Sequence, residues 1–174
     1  MKKLLFLLVT TFSFIQIHSQ TETKIDLGHY SKVLDFPNNT KIELFNAINK
    51  WLTLNYNSAK DVIQLNNLEN GEIVVKGIVN IDALIMFGKG VQKPIHHTLS
   101  IKIKENKIKV DLDYNEIVFD YLNSNNNKIV AEYLTHKAIR QKDKDCLIVS
   151  MQNHFDSTIN SIAKFINTSI SNEW

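Results

Sequence analysis

The spacing of apolar residues divides the chain into an amphipathic helix, a set of alternating strands and a second, longer helix. Ile42, Phe45, Ile48, Trp51, Leu52 and Tyr56 recur at three- and four-residue intervals, a single stripe at the helical period. Thr40 and Glu43 stand three residues apart at its start. That spacing predicts a capping box, in which the hydroxyl accepts the Glu43 amide and the carboxylate accepts the Thr40 amide. Asn55-Tyr56-Asn57-Ser58 predicts the helix exit, through an Asn in the left-handed conformation. Upstream, the apolar run at residues 32–36 ends in Pro37-Asn38-Asn39, a strand followed by a turn.

The period then changes to two. Residues 61–66 read as a strand and Asn70-Gly71 as a hairpin turn. Ile73, Val75, Val79 and Ile81 share one face of a long strand, and Gly77 between them predicts a bend, a bulge or a close approach. In residues 98–114, Leu99, Ile101, Ile103, Ile108, Val110, Leu112 and Tyr114 alternate with polar residues. The polar set includes Lys102, Lys104, Lys107, Lys109, Asp111 and Asp113. Such alternation predicts a sheet buried on one face and solvated on the other.

Two stretches are less regular. Residues 83–87 are apolar and are broken by Gly88-Lys89-Gly90. They read as a wide hairpin connection whose apolar arm joins the core, or as a mobile lip over a pocket. Residues 115–144 read as an insert ending in a charged linker at 142–145. After it, Leu147, Met151, Phe155, Ile159, Ile162, Phe165, Ile166 and Ile170 form a stripe over about six helical turns.

The order β-α-β-β-β-β-α predicts an α+β fold: one antiparallel sheet of about five strands, with two main helices gripping one face. Three segments carry a resemblance: Leu44-Phe45 with Trp51-Leu52, the run NYNSAKDVIQ from Asn55, and GEIVVKG from Gly71. They resemble an uncharacterised family of exported bacterial domains of unknown function with a TATA-box-binding-protein-like (TBP-like) fold. The resemblance covers residues 33–114 and implies a fold rather than an activity. It also implies a possible use: relatives of this architecture hold apolar ligands in a cavity between helix and sheet.

Composition adds an address. Lys2 and Lys3 precede an apolar run at residues 4–17, with Ser19 beyond it. This is the pattern of a secretory signal peptide cleaved near Ser19, and the run is shorter than the roughly 20 apolar residues of a spanning helix. The remainder, residues 20–174, is expected to be a single domain with an ordered core at 32–170, delivered to the periplasm or secreted. Losing residues 1–19 removes two lysines and no acid, leaving 18 basic against 18 acidic residues. That balance, with no basic run interleaved with aromatics, argues against a nucleic-acid partner. The single cysteine, Cys146, allows no internal disulfide and reads as a small core residue.

No constellation for catalysis emerges. His96 and His97 point to opposite faces of a strand, and no His-x3-His or Cys-x2-Cys spacing marks a metal. Gly88-Lys89 lacks the spacing of a phosphate loop, and no nucleophile elbow is present. Asp111 and Asp113, beside lysines, read as solvated charge rather than as an acid–base pair. The expectation is therefore a non-catalytic binding module without metal or cofactor. It would hold a small apolar or amphipathic ligand between the sheet and the last helix, with Phe87, Met151 and Phe155 as candidate contacts. The alternative is a module that binds an envelope protein through Lys102, Lys104, Lys107, Lys109, Asp111 and Asp113.

Overall fold

A computed structural model describes residues 27–119 and 127–171. The expected signal peptide and cleavage near Ser19, the lead-in through residue 26 and residues 120–126 of the insert lie outside the described residues. The elements run β1 (His29–Asp35), α1 (Lys41–Asn55), α2 (Ala59–Val62), β2 (Ile63–Asn67), β3 (Glu72–Met86), β4 (Lys89–Lys104), β5 (Lys107–Ile117), β6 (Lys128–Ile129), α3 (Val130–Thr135) and α4 (Gln141–Ser171). One antiparallel sheet has the order β1-β5-β4-β3-β2, with the short β6 also on β5. The α+β architecture expected from the sequence is present.

The capping box forms as expected. Thr40 Oγ1 accepts the Glu43 amide at 3.2 Å, and Glu43 Oε2 accepts the Thr40 amide at 2.7 Å. These bonds satisfy two amides that the start of α1 would otherwise leave open. They also hold the Glu43 carboxyl below the usual carboxylate range, through the backbone and then the hydroxyl of Thr40. The buried stripe of α1 is Leu44, Phe45, Ala47, Ile48, Trp51 and Leu52. Ile42, expected on that stripe, is 58% exposed because the buried stripe centres on Leu44, Ile48 and Trp51, and Ile42 falls on the other side of the helix. The helix leaves through Tyr56 in extended conformation, not through a left-handed Asn. Its amide still reaches the Leu52 carbonyl, which makes a left-handed residue unnecessary.

Four further expectations need correction. β1 begins at His29, earlier than the pattern implied, because His29 and Tyr30 pair with Asp113 and Leu112 of β5. The run at 61–66 starts as the single-turn α2 and becomes strand only at Ile63. Residues 82–97 are regular: β3 and β4 form one long hairpin in register to Met86 and Lys89, with a shift near Asp82 and Leu84. The charged stretch 142–145 belongs to α4. There Asp143 accepts from Arg140 at 2.6 and 2.9 Å and from the Ile85 amide at 2.9 Å, tying the helix start to β3.

The core lies between the helices and one sheet face. Ile73, Val75, Leu99, Ile101, Val110 and Leu112 meet Leu44, Ile48, Leu147, Met151, Phe155, Ile159 and Ile162, all buried. The helix α4 crosses β3, and α1 packs beside it. Among the described residues, no helix is long and apolar enough to cross a membrane.

Candidate functional site

The alternation on β4 places Ile95, His97 and Leu99 on the core face and His96 on the other. A histidine therefore occupies a core position. Its cross-strand partner on β3 is Gly77, and the His97 ring lies over that glycine. A Cβ on Gly77 would come within 2.9 Å of His97 Cε1 and 3.2 Å of Tyr56 Cε1. The absent side chain is what admits both rings.

Above His97, α4 presents His154. The ring centroids are 6.0 Å apart. His154 Nδ1 lies 2.6 Å from the Tyr114 hydroxyl, which also donates to the Met151 carbonyl at 3.0 Å. With its one proton directed at Met151, the phenol accepts from His154 Nδ1, and Nε2 is left as a hydrogen-bond acceptor. Tyr56 Oη lies 3.4 Å from His97 Nε2. Trp51 donates its indole N–H to Ser161 Oγ at 2.9 Å.

These groups border a cleft of about 400 Å³ between the sheet and α4. Val79, His97, Leu99 and Leu112 form its floor, and His154, Ser157, Thr158 and Ser161 of α4 its roof. Trp51, Asn55, Tyr56 and Asn57 close one end, where α1 stops. No lysine, arginine, aspartate or glutamate lines it. Both imidazoles are held neutral. Burial, reinforced by the neighbouring His154, brings His97 down to about 4 against the opposing influence of the Ile95 backbone. Burial also lowers His154 and pushes the Tyr56 phenol up to about 12. His97 is only 5% exposed, and among the described residues its Nδ1 makes no hydrogen bond of standard geometry, although the Ile95 backbone acts on the ring.

A second cavity, of about 500 Å³, lies between β3, α3 and the start of α4. Phe119 stacks on Tyr133 at its wall, and Lys128, Glu132, Arg140 and Asp143 make it charged. Cys146 is half-buried, its thiol 3.6 Å from the Asp82 carbonyl and pushed up by burial. Among the described residues, no group of three or more metal-ligating side chains converges.

The ligand contacts expected from sequence are not brought together. Phe87 stands fully exposed at the tip of the β3–β4 hairpin, where it can cover nothing. Met151 and Phe155 are core residues, with Phe155 tilted against Tyr30 at 5.5 Å. The cleft uses the neighbouring face of α4, through His154, Ser157, Thr158 and Ser161. A signal for it was present: His97 falls on the apolar phase of its strand, and a polar residue at a core position calls for a partner.

On the open sheet face, Lys102, Lys104, Lys107 and Lys109 are exposed as expected. Asp111 is not solvated: it is 8% exposed, accepting from Ser31 at 2.6 Å and Lys109 at 2.9 Å. Burial alone would raise its carboxyl, but these hydrogen bonds and the Lys109 charge bring it below the usual range. Asp113 pairs with His29 Nδ1 at 2.5 Å. Strand β1 thus covers Asp111, whereas the Asp113 side chain, paired with His29, stays about as accessible as Lys109.

The fold has the TBP-like form, an antiparallel sheet with its long helices on one face. Two crystal structures share it at low identity. One is a TBP-like protein from Parabacteroides distasonis ATCC 8503, with 18% identity and a TM-score of 0.58, covering 78% of this chain and 92% of that one. The other is a DUF4468 family protein from Bacteroides ovatus ATCC 8483, with 16% identity and a TM-score of 0.62, covering 79% and 85%. Residues 30–118 match the domain of unknown function (DUF4468) with TBP-like fold; the chain belongs to that family. No match is found among curated proteins.

Proposed function

We propose that this chain is an exported cell-envelope domain that binds a small, uncharged amphipathic molecule in the cleft between the sheet and α4, without catalysis. The observation that carries the reading is a cleft between the sheet and α4 lined by two neutral histidines and, among the described residues, by no lysine, arginine, aspartate or glutamate. His154 Nε2, left as an acceptor on the cleft roof, offers a neutral ligand a hydrogen bond. A charged ligand would find nothing to neutralise it. With a value near 4, His97 is also a poor general base at neutral pH. The cleft volume lies within the usual range for small-molecule sites. The leader-like residues 1–19 supply the envelope address.

The test is native mass spectrometry of protein purified from its own host, with cell fractionation to follow the leader. A neutral mass retained by the wild type and lost on blocking the cleft with Ser161→Trp supports the reading. A protein that carries no small molecule, and whose Trp51 fluorescence in a Trp174→Phe background ignores fractionated host extract, overturns it.

The sheet face supports a second reading. Lys102 faces Lys109 and Lys104 faces Lys107 across β4 and β5. Directly opposed like charges destabilise a sheet, so an acidic envelope protein would relieve them. Charge reversal at Lys102, Lys104 and Lys107 should abolish capture of such a partner; unchanged capture excludes this face.

A further inference from the structure

The β3–β4 hairpin extends beyond the core and ends in a two-residue turn. Met86 pairs with Lys89, and Phe87-Gly88 lie between them. Both turn residues have positive φ, 50° for Phe87 and 76° for Gly88. This turn pattern strongly prefers Asn-Gly or Asp-Gly, and a bulky apolar residue at its first position is unfavourable. Phe87 is nevertheless there, 100% exposed, and Met86 beside it is 50% exposed. A Cβ built on Gly88 would meet nothing within 4 Å. The tip is therefore a free-standing apolar projection whose Phe contributes nothing to the fold that an Asn would not improve.

Its surroundings are basic. Lys89 closes the turn. One residue before Met86, the Ile85 carbonyl accepts from Arg140 Nη2 at 2.9 Å and its amide donates to Asp143. This docks the segment 137–144 at the base of the tip. With the next residue, that segment carries Lys137, Arg140, Lys142 and Lys144 against Asp143 and Asp145, the first engaged by Arg140 and the second by Gln141.

We propose that the Met86–Phe87 tip inserts into the interface of an anionic lipid membrane, with Lys89 and the 137–144 segment against the headgroups. A convex apolar point with a cationic collar matches a surface that is apolar below and anionic above. The tip is remote from the cleft lining, so this inference is independent of the proposed ligand.

The test uses protein purified from its own host, so that every variant carries the same N-terminus, and vesicles of phosphatidylcholine with or without phosphatidylglycerol. Phe87→Asn should keep or raise the thermal midpoint, because Asn-Gly suits the turn. Combined with Met86→Ser, it should lower partitioning onto anionic vesicles by at least about tenfold. Lys89→Glu should weaken binding to anionic vesicles and leave binding to neutral ones unchanged. Phe87→Trp should show a blue-shifted emission that brominated lipids quench. Unchanged partitioning of the Met86/Phe87 variant, or an unquenched Trp, overturns the proposal. So does loss of an envelope-protein partner in that variant while vesicle binding stays as in the wild type, which would assign the tip to a protein pocket.

Discussion

The Cε1–Nε2 edge of the His97 imidazole lies so close to Gly77 of the neighbouring strand that a single added carbon would sit 2.9 Å from it. The ring is buried, with Tyr56 closing the same space, so it has little room to retreat. Gly77→Ala should therefore destabilise the fold by about 1–3 kcal/mol, the usual cost of overfilling a packed site. Urea denaturation at neutral pH measures it. An unchanged midpoint would mean that the ring is mobile and that the cleft floor is not the fixed surface described above.

The same histidine makes stability depend on pH. Its folded value, about 4, lies below its ordinary 6.5, so between those two values the unfolded chain binds more protons than the folded one. Stability is then greatest above about pH 6.5, falls as pH drops through this window, and is flat for this group below about 4. The full effect is on the order of 3 kcal/mol, and His154 adds to it in the same direction. The groups facing His97 are His154, Tyr114 and Tyr56, with His96 acting only as a like charge from the opposite face of β4, and none of them is a carboxylate that could hold the imidazolium. His97→Phe should flatten the profile between pH 4 and 7, leaving the His154 share. A profile as steep as that of the wild type would place the titration elsewhere.

Tyr114 links the sheet to α4 with one hydroxyl shared between the Met151 carbonyl and His154 Nδ1. Tyr114→Phe keeps the ring and strands the imidazole nitrogen, so a loss of about 1–2 kcal/mol is expected. The cross-link should fail locally as well. Hydrogen exchange ought to quicken in the middle of α4, around residues 151–158, more than in β3 and β4. A uniform increase would point to a global effect instead.

At the start of α1, Thr40→Ala removes the acceptor for the Glu43 amide and should cost about 1 kcal/mol. Thr40→Ser should restore most of it. If both variants behave alike, the helix start is held by its neighbours, such as the Glu105 carboxylate on the Lys41 amide, and not by its cap.

The parts of the fold legible in the sequence are those set by local periodicity. The capping box needs only Thr40 and Glu43, and the buried faces of β4 and β5 follow from alternation. What failed depends on distant residues. β1 gains His29 and Tyr30 only because Asp113 and Leu112 offer partners. The 142–145 stretch reads as a charged linker until Arg140 and the Ile85 amide engage Asp143. The cleft was misplaced for a related reason. Met151 and Phe155 look like ligand contacts because they are large and apolar, and those properties are what bury them in the core. The cleft lies where polar groups interrupt the packing, at His97, His154 and Ser161, with Gly77 making room beside His97. Periodicity locates a core better than it locates the gap beside one.

The strand order has a consequence for how the chain assembles. Among the described residues β1 is the earliest strand in the chain, yet it pairs only with β5, joining His29 to Asp113 across 84 residues. Until β5 exists it has no partner, whereas β3, β4 and β5 are sequential hairpins that need only short loops to close. The meander is expected to form first, with β1 and the long α4 closing over it later. Pulse-labelled hydrogen exchange during refolding should protect Leu99 and Val110 before Ser31 or Val33. A nascent chain halted before residue 107 would hold its first strand as an unpaired edge.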